Sequence, residues 1–240
     1  MSDENKSFPI VISTSELQIS FPPVSENIVP VDGEKTRQLI KETSVYTPDG
    51  RAFIDKEAMP HLLATDKKGV NRIYNDLDDD DKLEQGKKKL LSIPAVCKEL
   101  SKRIEEPRDP VERERLRDSE SCVVALRDAP ELEKKRVLEE AKNRHEQPRL
   151  KEKKIKADEI KACQLTGQPL QPNAHAHHIE RRADKPRKSR DLSNIIVVNP
   201  EAHQEIHRQG AESPEELQAL CDKKGWSNPL SEKPSEDSQG

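Results

Sequence analysis

The sequence predicts an α+β protein with one small packed domain near the C-terminus, preceded by a mainly helical, charged region and a partly disordered N-terminus. Hydrophobic residues make up 31% and charged residues 37% of the 240-residue chain, so it can bury only a modest core. Long charged stretches of helical pattern are punctuated by proline. A single β-branched run leads into a segment that opens with proline and ends with glycine, which is typical of a strand followed by a helix.

Residues 1–40 are predicted to be extended or disordered. The stretch "FPPVSENIVPVDG" carries Pro22, Pro23 and Pro30, which argue against a helix. A strand is expected only at Ile10–Ile12.

Residues 41–148 are predicted to form a charged, mainly helical region of unknown role. From Lys82 to about His145 the pattern is helical with proline breaks. The acidic run "NDLDDDDK" lacks the ligand spacing of an EF-hand and is expected to be a solvated loop or the start of a helix. The region 1–150 is a candidate surface for a protein partner.

Residues 149–228 are predicted to form the packed domain, and residues 229–240 a disordered tail. "NIIVVN" (194–199) predicts a short buried strand, and "AHAHHIE" can pair with it in an antiparallel arrangement. "PEAHQEIHRQG" predicts a short helix. Ser213 and Gly225 bound the next predicted helix as N-cap and stop signal.

Five of the seven histidines lie within residues 174–207. His203 and His207 are four residues apart, so they share one face of the predicted helix and can present two nitrogen ligands to one metal ion. A third ligand from the preceding strand would leave an open position for water or phosphate, as in catalytic sites. Residues 149–210 carry 13 Lys/Arg against 8 Asp/Glu, although the whole chain has a net charge of −4. A basic segment of this kind attracts phosphates.

This segment resembles the HNH endonucleases, whose ββα-metal motif runs His, Asn, His. It is most similar to the nuclease domains of DNase colicins and pyocins. The matching features are "HH" at 177–178, "SNIIVVNP" from 193 and "HQEIH" at 203–207. The likeness covers residues 163–210, about a fifth of the chain. It implies a metal-dependent endonuclease that hydrolyses phosphodiester bonds in DNA with one divalent ion: zinc, nickel, magnesium or manganese.

The resemblance also implies a role for each matched side chain. His177, His203 and His207 are the expected metal ligands. His178 is the expected general base, which takes a proton from the attacking water. Asn194 is expected to brace the loop between the strands and to orient His178 through its amide.

The loop "ERRADKPRKSR" places six Lys/Arg between the two strands. We expect these cations to contact the DNA backbone, which carries no base information. Arg181 and Arg182 are expected to hold the scissile phosphate. Neighbouring phosphates are expected to contact Lys185, Arg187, Lys188 and Arg190.

The residues alone leave some alternatives open. His175 and His177 share a face of an ideal strand whereas His177 and His178 do not, so His175 is a rival ligand. "CQLTG" lacks the second cysteine of a structural zinc site, so Cys163 is expected to be a buried residue beside a turn. A catalytically silent nucleic-acid-binding module, or a metal that only holds a small fold together, would also explain the motif. His61 and His145 receive no role.

Location is inferred from what the sequence lacks. There is no CxxC pair, no 18-residue apolar run and no basic start followed by an apolar core. We therefore expect a cytoplasmic bacterial or phage enzyme that binds DNA and no membrane.

Overall fold

The computed structural model describes residues 10–228, and the chain divides into two compact units between residues 139 and 140. Each unit combines helices with antiparallel strands, so the protein is α+β, as the sequence predicts. The division falls inside a helix, whereas the sequence suggested a boundary after residue 148. The tail at 229–240 lies outside the described residues.

The first unit contains a five-stranded antiparallel sheet that the sequence did not predict. Its strand order is β1–β2–β3–β5–β4. The strands are β1 (Ile12–Ser13), β2 (Ser44–Tyr46), β3 (Ala52–Asp55), β4 (Lys82–Gln85) and β5 (Lys88–Ser92).

The prediction of helix from Lys82 is therefore wrong for β4 and β5. These strands form a hairpin whose turn uses Gly86 at φ +59°, a backbone conformation that glycine adopts at little cost. Leu90 and Leu91 are both buried, but they join different clusters because successive side chains of a strand point to opposite faces. Successive residues of a helix are only about 100° apart around its axis, so a helix would not place these two side chains on opposite faces.

The helices of the first part of the chain cover one face of this sheet. They are α1 (Pro30–Thr43), α2 (Met59–Leu62), α3 (Lys67–Asp76), α4 (Ile93–Glu105), α5 (Pro110–Arg127) and α6 (Pro130–Glu146), the last of which crosses the division. The prediction that residues 1–40 contain no helix is wrong from Pro30 onward. Pro30 is the first helical residue, where its missing N–H costs nothing and its fixed φ favours the helix.

A buried ion pair joins α1 to α5. The Arg37 guanidinium donates to both carboxylate oxygens of Asp118 at 3.0 and 2.9 Å, and also to the carbonyls of Pro22 and Gly33. The acidic run before β4 is exposed and forms a short turn at Asp79–Asp81, in agreement with its expected solvation.

The second unit contains α7 (Leu150–Ala157), β6 (His175–His178), β7 (Ile195–Val198), α8 (Pro200–Gln209) and α9 (Pro214–Lys224). The order from β6 to α9 is the one predicted from the sequence, whereas helix α7 was not predicted. The hydroxyl of Ser213 accepts from the N–H of Glu216, and Gly210 and Gly225 end their helices at φ +65°. The predicted strand and both helix boundaries are thus confirmed.

The two strands of this unit pair antiparallel, with His175 opposite Val198 and His178 opposite Ile195. Helices α8 and α9 pack their apolar residues onto β7, and the core so formed includes Ile196, Val198, Ile206, Leu217 and Cys221. The pairing places the histidine-rich strand beside α8.

Across residues 10–228 we find no helix whose length and apolarity would let it cross a bilayer.

Candidate metal centre and basic loop

Three histidines from two elements meet in the second unit. His177 lies on β6, whereas His203 and His207 lie one turn apart on α8. Ligand nitrogens of the three side chains lie within 4.8 Å of one another, a grouping that could hold a metal ion. The rings meet edge-on, with centroids 4.5–5.4 Å apart and interplanar angles of 76–79°. We call these three residues the histidine triad.

The triad has the properties of a ligand set. His177 is 7% exposed, and its Nε2 is buried without a hydrogen-bond partner. Burial, followed by the nearby His203 and His207, lowers the pKa of His177 to about 4. Burial and the neighbouring His207 likewise lower the pKa of His203 to about 4. Both imidazoles are therefore neutral near pH 7, the form that coordinates a metal.

His175 lies next to the triad in a different arrangement. Its exposed ring stacks on His203 with centroids 4.6 Å apart and an interplanar angle of 14°. It shares the β6 face with His177 because they are two residues apart. The grouped ligand nitrogens include His177 and exclude His175.

His178 follows His177 on the strand and has other neighbours. Its Nε2 lies 3.0 Å from the backbone carbonyl of Ser189 in the basic loop. A carbonyl oxygen only accepts, so Nε2 donates to it, and in the neutral form of the ring the lone pair then lies on Nδ1. The pairing of β6 with β7 extends to His178 opposite Ile195. Among the described histidines, ring contacts join the triad and His175 but do not reach His178.

Asn194 lies at the end of the basic loop that connects β6 to β7. Its Oδ1 accepts from the N–H of Glu180 at 2.8 Å, and its Nδ2 donates to the carbonyls of Glu180 and Lys188 at 3.1 and 3.3 Å. The side chain is 5% exposed, so these bonds are shielded from water. Asn194 thus braces the loop, whereas the carbonyl of Ser189, not the Asn194 amide, contacts the His178 ring.

A glutamine outside the motif also binds the Ser189 carbonyl. The Gln147 Nε2 donates to the Ser189 carbonyl at 3.0 Å, so this oxygen accepts from both Gln147 and His178. Sequence reasoning missed Gln147 because it lies far from the loop along the chain, in a short turn after α6. No local pattern distinguishes it from other glutamines.

The six cations of the loop fall into two groups. Arg181 pairs with Glu212 at 2.7 Å, Arg190 lies 3.6 Å from Glu146, and Lys188 forms an ion pair with Glu180. The other three are exposed. Within the described part of the chain, Arg182 and Arg187 have no carboxylate within ion-pair distance. Lys185 is also exposed but already interacts with another group of the protein. The sequence did not predict the ion pairs of Arg181 with Glu212 and of Arg190 with Glu146.

The segment before β6 supports the far edge of β7. The side-chain oxygen of Gln164 accepts from the N–H of Val197 at 2.7 Å, and the Gln164 N–H donates back to the Val197 carbonyl at 3.1 Å. Cys163 is 1% exposed, and its carbonyl accepts from the N–H of Gly167 in a turn. The expectation of a buried cysteine beside a turn is therefore confirmed. Strand β7 is supported by Gln164 on one edge and pairs on the other with β6, the strand that carries His177.

No family model, curated protein or solved structure matches this chain.

Proposed function

We propose that the second unit is a metal-dependent endonuclease of the HNH type that hydrolyses phosphodiester bonds in DNA. The observation that carries the proposal is the convergence of three imidazoles on one point, next in sequence to a histidine held by a basic loop. The resemblance of residues 163–210 to the HNH motif supports the same conclusion.

The donor set fits a divalent ion. Three protein nitrogens around a tetrahedral ion leave one position open, as in catalytic rather than structural sites. The orphaned Nε2 of buried His177 supports this, because a buried nitrogen without a partner is costly unless something binds it. Imidazole donors favour Zn²⁺ or Ni²⁺ over Mg²⁺, which prefers oxygen ligands. When bound, the ion would stabilise the negative charge that develops on the scissile phosphate.

His178 is proposed to take the proton from the attacking water. Its Nε2–H is engaged by the Ser189 carbonyl, which selects the tautomer whose Nδ1 is free to accept a proton. Asn194 holds the carbonyl of the preceding residue, Lys188, and so keeps the Ser189 carbonyl in place. In this scheme Asn194 acts as a positioning residue.

The loop is proposed to hold the DNA backbone. Arg182 and Arg187 are the leading candidates for direct phosphate contacts, because both are exposed and neither has a described carboxylate within ion-pair distance, although Arg182 acts on Glu140 electrostatically. Arg181, Lys188 and Arg190 would have to leave a carboxylate partner before they could bind a phosphate. Phosphate contacts carry no base information, so low sequence specificity is expected.

Plasmid nicking tests the proposal. The full chain is stripped of ions with a chelator, and Mg²⁺, Mn²⁺, Ni²⁺ or Zn²⁺ is then added singly with supercoiled plasmid. We expect nicking by the parent and by His145→Ala, which removes an exposed histidine outside the motif. His178→Ala should be slower by about 10²-fold or more, the usual contribution of a general base. His203→Ala, purified in parallel, controls for contaminating nucleases.

Three results would overturn parts of this proposal. Equal cleavage by His178→Ala and the parent would reject the base. Salt-dependent DNA binding without cleavage under any ion would identify a silent binding module instead of an enzyme. Faster cleavage of a single-stranded RNA than of DNA would reject the substrate class.

A further inference from the structure

We propose that His175 is a positioning residue that holds the His203 ring in its metal-binding orientation by stacking, and that it is not itself a ligand. This inference rests on the metal centre proposed above. His175 lies beside the three proposed ligands but is not one of them.

The ring geometry separates His175 from the triad. The lone pair of an imidazole nitrogen lies in the plane of its ring, so rings that bind one ion must have planes that converge on it. The triad rings cross at 76–79°, which allows convergence. His175 and His203 lie nearly parallel at 14°, one over the other, so their lone pairs point along separate planes.

The stack with His175 can restrain the His203 ring. His203 lies in the first half of α8 and is only half-buried, so one face of its ring would be free to move if His175 were absent. His177, by contrast, is held by burial. A ring fixed before the ion arrives loses less conformational freedom on binding, so preorganisation raises affinity without adding a contact to the ion.

The stacking explanation and the ligand explanation predict different behaviour of a phenylalanine variant. Phenylalanine retains a flat ring of similar size but offers no nitrogen, so His175→Phe keeps the stack and removes any ligation. His175→Ala removes both. An aromatic pair contributes enough that its loss should weaken ion binding about two- to tenfold.

The test measures ion affinity, not nuclease activity. The metal-free full chain competes with a chromophoric chelator for Zn²⁺ at a pH where free histidine is neutral, and the visible spectrum with Co²⁺ serves as a second readout of the ligand set. We expect two- to tenfold weaker binding by His175→Ala, parental binding by His175→Phe, and no change in the Co²⁺ spectrum of either. His145→Ala, which also removes an exposed histidine, should match the parent.

The outcomes separate this inference from the proposals before it. Equal weakening by Ala and Phe, with a changed Co²⁺ spectrum, would make His175 a ligand and overturn the inference. Parental affinity in His175→Ala would show that the stack contributes nothing. A parent that binds no ion would overturn both the centre and the inference, whereas a parent that binds ions but cuts no DNA would overturn only the nuclease.

Discussion

Replacing His177 with leucine should make the metal-free second unit less sensitive to acid. In the unfolded chain this histidine titrates near 6.5, whereas burial and the neighbouring histidines lower its pKa to about 4 in the folded protein. Between about pH 4 and pH 6.5, this histidine is protonated in the unfolded chain and neutral in the folded protein. Lowering the pH therefore favours unfolding across this window, and the stability contributed by the neutral histidine is retained only above about pH 6.5.

The size of the effect follows from the same two pKa values. On going from about pH 7.5 to about pH 5.5, one such histidine costs about 1 kcal/mol of unfolding free energy. Leucine binds no proton, so the variant should lose less stability than the parent by about this amount. Leucine is also of similar volume and leaves no buried nitrogen without a partner, so the variant should fold.

Trp226 provides the assay. It is the single tryptophan of the chain and packs against the core of the second unit, so its fluorescence follows the unfolding of that unit in urea. Midpoints are measured at both pH values with a chelator present. His145→Leu, made at an exposed position, should keep the pH dependence of the parent. If His177→Leu loses as much stability with acid as the parent does, the burial argument is refuted.

Three further predictions concern the loop and the first unit. Asn194→Ala removes three shielded hydrogen bonds and should lower the unfolding free energy by about 1–3 kcal/mol, measured through Trp226 fluorescence, with earlier proteolysis within residues 180–190. If Arg182 and Arg187 bind phosphates, each alanine variant should reduce the slope of log Kobs against log salt for DNA binding by about 0.9. Arg37→Ala should destabilise the first unit by about 3–5 kcal/mol, because Asp118 is left buried without its partner.

Each of these has a contrary result. An unchanged proteolysis pattern in Asn194→Ala would mean that the loop is held by its other contacts. If the slope of log Kobs against log salt is unchanged in both arginine variants, neither Arg182 nor Arg187 contacts DNA phosphates. Circular dichroism in urea reports the helices of both units, so the Trp226 transition of the second unit is recorded beside it and the remaining change is assigned to the first unit. A loss below about 1 kcal/mol in Arg37→Ala would show that water reaches the Asp118 carboxylate.

Much of the second unit could be predicted because its signals are local. A β-branched run makes β7, proline opens α8 and α9, and glycine ends both at positive φ. The spacing of His203 and His207 follows from helix geometry alone. These features depend on residues within one or two turns of each other, and the sequence contains all of that information.

The first unit could not be predicted in the same way, because its sheet depends on partners distant in the chain. Phe53 pairs with Ser92, and the lysine-rich strands β4 and β5 have the composition of an exposed helix. The burial of Leu90 and Leu91 on opposite faces of the sheet and the turn at Gly86 favour strands there. Tertiary burial outweighs local propensity in such a segment.

At the candidate site the sequence determined which residue types come together, and the tertiary structure decided what each one faces. Strand alternation left His175 open as a rival metal ligand, because it shares a strand face with His177. The packing of α8 against β6 brings His203 and His207 to His177, whereas the His175 ring stacks on His203 and is not part of the grouped ligands. The partners of the loop, Gln147 and Glu212, are set by contacts that span long stretches of chain, and no local pattern records them.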